Sequence, residues 1–347
     1  MNDHKNPEIS VVMAVYNGEE YIEDAIDSIL KQSFADFEFI IINDGSTDNS
    51  LYIIQTYMAT DDRIIVISNE NKGLPASLNE GIALAKGKYI ARMDADDISF
   101  FDRFQKQYEF MENHPEVGVC GSSALLLGKK SSKQYIMRHP KKHESLTVRL
   151  LFSVCFIHPT VIIRKCILDN LDYVYNTDFK NSQDYELWAR LVDKTKFHNL
   201  QEPLLYYRDV KQGITAKVNS NGLHYRYPLV RRVQEMQLKK INVHLNDDES
   251  LNHFRLALNS EMAGLNESAK NIKKHLFKLI CANHNKRIHS QSDLYSFLSR
   301  KFSIYIMISF AMQKKIKYLD AFGAMFFRGV FEIFRDKLKI FWIRIGR

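Results

Sequence analysis

Two kinds of pattern alternate through the first hundred residues, and this alternation restricts the fold more than any other feature of the chain. Four near-continuous apolar runs are typical of strands buried on both faces, and they span residues 9–15, 37–42, 63–67 and 88–93. Between them, apolar residues recur at helical spacing in residues 21–30, 50–58 and 74–85. Strand and helix in succession predict an α/β fold with a mostly parallel, Rossmann-like central sheet flanked by helices.

Polar turns follow three of the predicted strands, at residues 16–18, 43–48 and 94–97. In a doubly wound sheet, ligands bind beyond the carboxyl ends of the strands. We therefore expect the three turns to lie along one edge of the sheet and to form the binding site.

The last of these turns carries Asp94, Asp96 and Asp97 directly after an apolar run. On an extended backbone the side chains of Asp94 and Asp96 point the same way, so their carboxylates can converge on one cation. Hard oxygen ligands suit Mg²⁺ or Mn²⁺, and either ion binds a diphosphate. An Asp-x-Asp sequence by itself also occurs in solvated turns.

Charge is distributed unevenly along the 347 residues, whose formal net charge is +7. Residues 294–347 hold 11 Lys and Arg against 3 Asp and Glu, a local charge of +8, so the rest of the chain is close to neutral. Such basicity suggests nucleic acid, an acidic membrane surface or a phosphorylated substrate as partner. The four cysteines lack zinc-type spacing and are expected to be reduced thiols of a cytosolic protein.

The basic tail has the pattern of an amphipathic helix. Its apolar residues repeat at three and four residues and include Phe327, Phe331, Phe334, Leu338 and Phe341. Such a helix can lie in an anionic membrane interface, or it can pack its apolar stripe on the catalytic domain. Because no apolar run reaches the length of a membrane span and no secretion signal is apparent, we expect a cytoplasmic protein, peripheral on the inner face of the membrane.

The chain after residue 100 is more irregular. We expect a helix over residues 101–113, a strand over 158–163, and a helix over 184–192 with Leu187, Trp188 and Leu191 inward. After Gly213 the pattern is almost entirely helical and basic. These features predict a catalytic domain of residues 1–215 and a helical region of residues 216–347.

Five segments occur in an order that resembles glycosyltransferase family 2, the nucleotide-sugar transferases of GT-A fold. They are Ser10–Asn17, Asn43–Asp48, Met93–Asp97, His158-Pro-Thr with Ile163-Arg-Lys, and Ser182–Arg190. The resemblance covers about residues 8–210 and implies a GT-A fold with a nucleotide-sugar donor.

The resemblance also assigns roles on the donor side. It implies that Asp44 hydrogen-bonds a uracil-like ring, that Asp94 reaches the ribose or a metal-bound water, and that Asp96 ligates Mn²⁺ or Mg²⁺. Asp97 is expected only to brace the turn. The backbone expected to flank the ribose and base belongs to Ala14, Val15 and Tyr16.

On the acceptor side, Asp184 matches the catalytic base of the family. A base of this kind takes the proton of an acceptor hydroxyl as that oxygen attacks the anomeric carbon, opposite a diphosphate neutralised by metal. The sequence departs from the family by carrying Gln183 where Glu is more frequent.

Five further residues are candidates with two readings each. Arg92 contacts a phosphate or forms a salt bridge within the sheet. His158 orients the acceptor or hydrogen-bonds the polar groups of a buried turn. Arg208 and Lys211 bind the diphosphate or form an exposed loop pair, and Lys72 has the same two readings.

The sequence therefore predicts an inverting glycosyltransferase. The resemblance implies a UDP-sugar donor and a glycan or polyprenyl-diphosphate-linked acceptor in cell-surface polysaccharide synthesis. The Gln-x-x-Arg-Trp signature of the processive synthases is not found, which favours addition of one sugar per encounter.

Three alternatives remain. A sugar nucleotidyltransferase needs a basic, glycine-rich loop after the first strand, whereas residues 16–20 are acidic. A nucleic-acid-binding protein is disfavoured because the first 293 residues are near neutral, and we expect no nucleic acid partner. An inactive relative is disfavoured by the presence of Asp44, Asp94, Asp96 and Asp184.

Overall fold

The computed structural model describes residues 6–127, 135–210, 223–258, 262, 265, 267–311 and 328–330. It divides into two compact units. The first comprises Met1–Leu146 and Val154–Arg226, and the second comprises Thr147–Ser153 and Tyr227–Arg347. The predicted boundary near residue 215 falls between 211 and 222, outside the described residues.

The first half of the first unit alternates strand and helix as predicted. Its elements are β1 (Ile9–Val15), α1 (Ile22–Leu30), β2 (Phe37–Asp44), α2 (Ser50–Met58), β3 (Ile64–Asn69), α3 (Leu74–Leu84), β4 (Tyr89–Asp94), β5 (Ile98–Ser99) and α4 (Arg103–Asn113). The continuous burial of β1 and β2 explains why their sequences are apolar on both faces.

The second half is less regular. It contains β6 (Val117–Leu127), β7 (Tyr135–Met137), α5 (His143–Leu150), a 3₁₀ turn (His158–Thr160), β8 (Ile162–Arg164), α6 (Lys165–Leu168), α7 (Gln183–Leu191) and β9 (Lys196–Arg208). The helix α5 crosses from the first unit into the second at residue 147.

One sheet runs through the first unit in the order β3-β2-β1-β4-β8-β6-β9-β5, with β7 paired to β6. Strands β1 to β4 are parallel, and β8 runs antiparallel to β4. Val15 lies opposite Asn43, and Ala14 lies opposite Asp94. The carboxyl ends of β1, β2 and β4 therefore meet at one edge, which confirms the predicted sheet and the common edge of its polar turns.

The predicted strand over residues 158–163 is wrong in its first half. His158–Thr160 form a 3₁₀ turn, and only Ile162–Arg164 are extended. Proline at position 159 has no N–H to offer a neighbouring strand, and the Thr160 hydroxyl donates to the carbonyl oxygen of Ile157 at 2.7 Å. These local bonds close the turn that the apolar pattern does not reveal.

The helices cover the two faces of the sheet. Apolar residues of α1 and α4, among them Ile22, Ile26 and Phe104, join the buried side chains of β1 and β2 in one core cluster. On the other face, α3 approaches so closely that a Cβ at Gly81 would lie 2.6 Å from Val12 Cγ1. This packing fixes the strand ends that carry the polar turns.

The second unit is helical in its described part. Its helices are α8 (Leu223–Lys240, which begins just before the unit boundary), α9 (Asp247–Ala257), α10 (Ala269–Lys286) and α11 (Gln291–Ala311). Leu276 and Leu279 of α10 pack with Leu294, Phe302 and other residues in a core cluster of this unit. Part of the basic tail, residues 294–347, thus lies in the core of this unit. Phe327, Phe331, Phe334, Leu338 and Phe341 lie outside the described residues.

In the described part of the chain, each helix is either too short or too polar to span a lipid bilayer.

Candidate active site

A cluster of acidic side chains lies at the carboxyl end of β4. One carboxylate oxygen from each of Asp94, Asp96 and Asp97 lies within 4.8 Å of the others. Asp94 and Asp96 are half-buried, while Asp97 is buried. Three like charges at this separation repel one another strongly unless a cation or protons are present.

Two of the carboxylates, those of Asp94 and Asp97, have different partners. Asp94 forms a salt bridge with Nη2 of Arg92, so the sheet salt bridge predicted as one role of Arg92 is present. The backbone N–H of Arg208 donates to Oδ1 of Asp97 at 2.9 Å. The Oδ2 atom of Asp97 is buried and has no hydrogen-bond partner among the described residues.

The electrostatics follow from this crowding. Burial, with the charge of Asp94 as a second cause, raises the pKa of Asp96 to about 7. The same two causes raise the pKa of Asp97 well above its ordinary value. Bound protons or a divalent cation would each relieve the repulsion, and the cation does so at neutral pH.

The residues present fit a divalent cation. They provide hard oxygen ligands from three side chains at one turn, and the buried Oδ2 of Asp97 lacks another partner in the described structure. Asp97 thus does more than the sequence led us to expect, since it both braces the turn and belongs to the acidic cluster.

Asp44 ends β2 in a different environment. Its carboxylate is buried and accepts hydrogen bonds from the backbone N–H groups of Lys72 at 2.8 Å and Gly73 at 3.0 Å. Gly73 has a φ of +88°, a conformation that favours glycine. The turn after β2 is closed by the neighbouring residue Asn43, whose Oδ1 accepts a hydrogen bond from the backbone N–H of Ser46. Asp44 therefore joins the turns after β2 and β3.

The end of β1 is tied to the same turn. Ala14 is half-buried, Val15 is buried and Tyr16 is exposed. The next residue, Asn17, accepts from the N–H of Thr47 at 2.8 Å through its side chain. The backbone of residues 14–16 consequently lies beside Asp44 at the sheet edge.

The side chain of Lys72 points to a neighbouring carboxylate. Its ammonium group forms a salt bridge with Glu80 at 3.0 Å. Lys72 contributes to this edge of the sheet through its backbone N–H, which donates a hydrogen bond to Asp44.

Arg208 holds the acidic turn from β9. Its Nε–H donates to the carbonyl oxygen of Asp96 at 2.9 Å, and its Nη2–H donates to Asp24 of α1 at 2.9 Å. The guanidinium also lies over the ring of Tyr21, 4.6 Å from the centroid. The exposed loop pair considered for Arg208 is thus not observed, and Lys211 lies outside the described residues.

The predicted base, Asp184, is the second residue of α7 and is half-buried. Burial raises the pKa of its carboxyl, while the charges of Arg226 and Arg92 lower it. Leu187, Trp188 and Leu191 are buried as predicted and anchor the helix. The helix begins after Ser182, which has a φ of 65°.

His158 is half-buried and forms a polar chain with the buried Tyr175. Its Nε2 lies 2.8 Å from the hydroxyl of Tyr175, and burial with the nearby charge of Arg92 holds the pKa of His158 well below its ordinary value. A neutral ring can accept from that hydroxyl. The backbone N–H and C=O of Tyr175 are both bound by the side chain of Asn79, each at 2.8 Å.

The structure brings together most of the predicted site residues. Arg92, Arg208 and the three acidic residues form one group, and Asp44 forms a second group with the backbone of Lys72. The charge of Arg92 also acts on His158 and Asp184. Sequence reasoning missed Tyr175, Asn79 and Asp24, and no local pattern distinguishes them.

A mostly parallel sheet whose edge carries an acidic turn beside a buried aspartate is the architecture of a GT-A glycosyltransferase. The family comparison agrees with this class: residues 10–170 match the model of glycosyl transferase family 2. The chain belongs to this family and is a glycosyltransferase.

Similar proteins agree with this assignment. An uncharacterised glycosyltransferase of Methanocaldococcus jannaschii is 36% identical over 232 residues, covering 64% of this chain and 78% of the relative. The O-antigen biosynthesis glycosyltransferase WbnJ of Escherichia coli is 35% identical over 205 residues, covering 59% of this chain and 79% of the relative. Among solved structures, S. aureus TarS 1–349 in complex with UDP-GlcNAc matches with a TM-score of 0.58 at 19% identity. That match covers 90% of this chain and 93% of TarS 1–349, and it supports the fold.

Proposed function

We propose that the protein transfers one sugar from a UDP-sugar, with inversion at the anomeric carbon, to a glycan or polyprenyl-diphosphate-linked acceptor in cell-surface polysaccharide synthesis. The observation that carries this proposal is the acidic cluster of Asp94, Asp96 and Asp97 at the same sheet edge as Asp44. The E. coli relative is named for O-antigen biosynthesis, and the TarS structure contains UDP-GlcNAc, which supports the donor and the context.

Asp96 and Asp94 would hold Mn²⁺ or Mg²⁺, with Asp97 close enough to assist. When bound, the cation neutralises the diphosphate and favours its departure from the sugar. Asp44 and the backbone of residues 14–16 would orient the base and ribose. Two backbone amides already bind the Asp44 carboxylate, so the turn would be in place before the nucleotide arrives.

Asp184 would act as the general base. A carboxylate that accepts the proton of the acceptor hydroxyl raises the nucleophilicity of that oxygen as it attacks the anomeric carbon. Burial raises the pKa of Asp184, which makes the carboxylate a stronger base than an exposed aspartate. The opposite charges of Arg226 and Arg92 limit this rise.

The test is a calorimetric titration of UDP and of GDP, with Mn²⁺ and without it. We expect UDP to bind only with Mn²⁺, and we expect Asp96→Asn to abolish this binding. Asp169→Asn is a matched control because, among the residues that the structure describes, the exposed Asp169 carboxylate pairs with Lys165 alone. Binding of GDP in preference to UDP would contradict the donor assignment, and binding of neither nucleotide would contradict the donor site.

Peripheral membrane binding through residues 294–347 is a second part of the proposal. The local charge of +8 in this segment supports it, since basic segments are attracted to anionic leaflets. Sedimentation of the full chain with phosphatidylglycerol vesicles but not with phosphatidylcholine vesicles is expected, and equal behaviour with both would contradict this part.

A further inference from the structure

The helix α7 begins without the local features that usually fix the start of a helix. It follows Ser182, which has a φ of 65°, a left-handed conformation that costs energy in a residue with a side chain. In the part of the chain that the structure describes, the Ser182 side chain makes no capping hydrogen bond. The connection from α6, residues 169–182, is described throughout and contains no helix or strand. The position of the first turn of α7, which carries Asp184, therefore depends on contacts with other parts of the chain.

Part of this connection, Tyr173–Tyr175, is held by side chains from other elements, and we call it the bridge segment. From α3, Asn79 donates from Nδ2 to the carbonyl oxygen of Tyr175 and accepts from its N–H at Oδ1, each at 2.8 Å. From the 3₁₀ turn, Nε2 of His158 lies 2.8 Å from the hydroxyl of Tyr175. Both the backbone and the side chain of Tyr175 are thus fixed.

Arg190 joins the bridge segment to the helix that carries Asp184. Its guanidinium donates from Nη1 to the carbonyl oxygen of Tyr173 at 3.2 Å and from Nη2 to that of Val174 at 2.5 Å. The same group pairs with the buried Glu186, one turn earlier in α7, through Nε at 2.7 Å and Nη2 at 2.9 Å. A bidentate ion pair holds the guanidinium in one geometry. The bridge segment and α7 are therefore fixed to each other.

Asn79 connects this assembly to the helix that follows the donor-side turns. Its amide exchanges one donated and one accepted bond with Tyr175, as two paired strand residues do. The helix α3 is itself tightly packed, since a Cβ at Gly81 would lie 2.6 Å from a side-chain atom of β1. It begins directly after Gly73, whose N–H binds the carboxylate of Asp44 at 3.0 Å. Asn79 thus extends from a rigid element that starts beside Asp44.

We propose that Asn79 is a positioning residue: its side chain fastens the bridge segment to α3 and thereby fixes the first turn of α7, with Asp184, relative to the donor-side half of the sheet. The inference rests on the proposed function, because it takes Asp184 as the general base. A purely structural role for Asn79 predicts a loss of stability alone. Positioning also predicts a loss of kcat that depends on the presence of Asp184.

The chain offers a matched control for Asn79→Ala. In α10 of the second unit, Asn283 donates from Nδ2 to the carbonyl oxygen of His289 at 2.9 Å and accepts from its N–H at 2.8 Å. Asn283 also donates to Oε1 of Gln291 at 2.8 Å. Asn283→Ala therefore removes the same pair of backbone bonds as Asn79→Ala, and one bond more.

Hydrogen exchange of the full chain tests the bridge segment directly. We expect Asn79→Ala to speed exchange of the amides in residues 173–186 by about tenfold or more, because the segment and the first turn of α7 open more often. In Asn283→Ala these amides should exchange as in the parent.

Kinetics then test positioning of the base. Turnover is followed with Mn²⁺ as UDP release from the UDP-hexose that the parent consumes among UDP-GlcNAc, UDP-glucose and UDP-galactose. We expect Asn79→Ala to lower kcat about tenfold or more, while donor KM and the affinity for UDP stay within about twofold. Asn283→Ala should lower the melting temperature and leave kcat and KM within about twofold.

The double variant separates positioning from stability. In the Asp184→Asn background the base is already absent, so a displaced first turn of α7 has no proton transfer left to impair. Adding Asn79→Ala to Asp184→Asn should therefore lower kcat by less than about twofold further.

Three results would overturn the inference while leaving the proposed function intact. They are a parent-like kcat in Asn79→Ala, parent-like exchange of residues 173–186, and an equal effect of Asn79→Ala on kcat with and without Asp184. If Asn79→Ala does not fold, Asn79→Asp takes its place. It keeps an acceptor for the Tyr175 N–H but has no donor for the carbonyl oxygen, so a parent-like kcat in that variant overturns the inference. If the parent binds no UDP with Mn²⁺, the proposed function fails and this inference falls with it.

Discussion

Aspartate occurs in three distinct environments among the predicted site residues, and the surroundings of each residue indicate its use. Each carboxylate oxygen of Asp44 accepts a hydrogen bond from a backbone amide, which suits a fixed part of the turn proposed to bind the base. Asp96 and Asp97 are crowded, with raised pKa values, which suits a site completed by a cation. Asp184 stands apart on α7, half-buried, which suits a proton acceptor.

Asp184→Asn should separate chemistry from donor binding. The amide keeps the shape of the side chain but cannot accept the proton, so we expect kcat to fall by about 10²–10⁴. The Mn²⁺-dependent affinity for UDP should stay within a factor of about two, because Asp184 lies outside the acidic cluster. Turnover and calorimetry on the same sample test this, and a kcat close to that of the parent would exclude Asp184 as the base.

Asp44→Asn should damage both stability and donor binding. Asparagine offers one acceptor oxygen where two N–H groups now bind, so one part-buried donor loses its protein partner, at a cost of about 1 kcal/mol. We expect that loss in urea unfolding, together with weaker UDP binding. The surface variant Asp169→Asn should change the unfolding free energy by no more than about 0.5 kcal/mol. Equal stability of the two variants would contradict a stabilising role for the two hydrogen bonds that the Asp44 carboxylate accepts.

At the scale of elements, β9 contributes to the site through its last residue. Arg208 connects the turn after β4 to α1, and it does so with one carbonyl, one carboxylate and one aromatic ring. The antiparallel β5–β9 pair brings residue 206 opposite residue 98, next to that turn. The irregular second half of the domain thus completes a site that the regular first half begins.

Arg208→Met should weaken Mn²⁺ binding about tenfold, or about 1.4 kcal/mol. The methionine backbone still donates to Asp97, but the bonds to Asp96 and Asp24 are lost and the turn becomes less ordered. Arg63→Met is a matched control, since Arg63 also binds a carbonyl, a carboxylate and a ring, far along the sequence from the turn. Similar Mn²⁺ affinities in both variants, measured by calorimetry with saturating UDP, would contradict this role.

The sequence predicts the first half of the domain well because each element there is signalled locally. Strands buried on both faces require continuous apolar runs, and helices between them show a 3.6-residue period. The strand predicted over 158–163 failed because Thr160 closes a turn with its own neighbours. Tyr175 and Asn79 were missed for another reason: they are 96 residues apart in the chain and meet only through tertiary packing.

Among the site residues, the acidic cluster and Asp44 could be proposed from their positions after strands. Their partners could not. Asp97 was expected only to brace its turn, and nothing in the sequence shows that Arg208, 111 residues later, donates to it. Long-range hydrogen bonds of this kind depend on how strands are ordered in the sheet, which local periodicity does not determine.

At the scale of the whole chain, the two units differ in how they use buried ionisable groups. The catalytic unit buries acidic residues and arginine at its site. The helical unit buries a histidine in its core: His253 Nε2 lies 2.8 Å from the carbonyl oxygen of Leu151, and its Nδ1 lies 3.1 Å from Nε2 of the half-buried His275. His253 also stacks on Phe152, 4.2 Å between ring centroids. Such a chain excludes two cationic rings, because one of the two facing ring nitrogens must accept the hydrogen bond and a protonated ring has no acceptor nitrogen.

The helical unit should therefore lose stability in mild acid. Burial lowers the pKa of His253 to about 3 and that of His275 to about 4, whereas an unfolded histidine titrates near pH 6.5. Between about pH 6.5 and 4 the unfolded chain binds more protons than the folded chain. The free energy of unfolding should then fall by up to about 2.7 kcal/mol per pH unit for the pair, with full stability above pH 6.5.

Hydrogen exchange of the α10 amides in the full-length chain, compared at pH 7, 6 and 5 after correction for intrinsic exchange rates, follows this unit directly. His275→Gln removes one titrating ring and should make the decline in protection shallower by about half, because only His253 then discriminates between the folded and unfolded chain. His244→Gln, at an exposed position of the same unit, should leave the decline as in the parent. If the protection of the α10 amides declined as steeply in His275→Gln as in the parent, the acid sensitivity would come from other groups. The histidine pair would then have no influence on the pH dependence of stability.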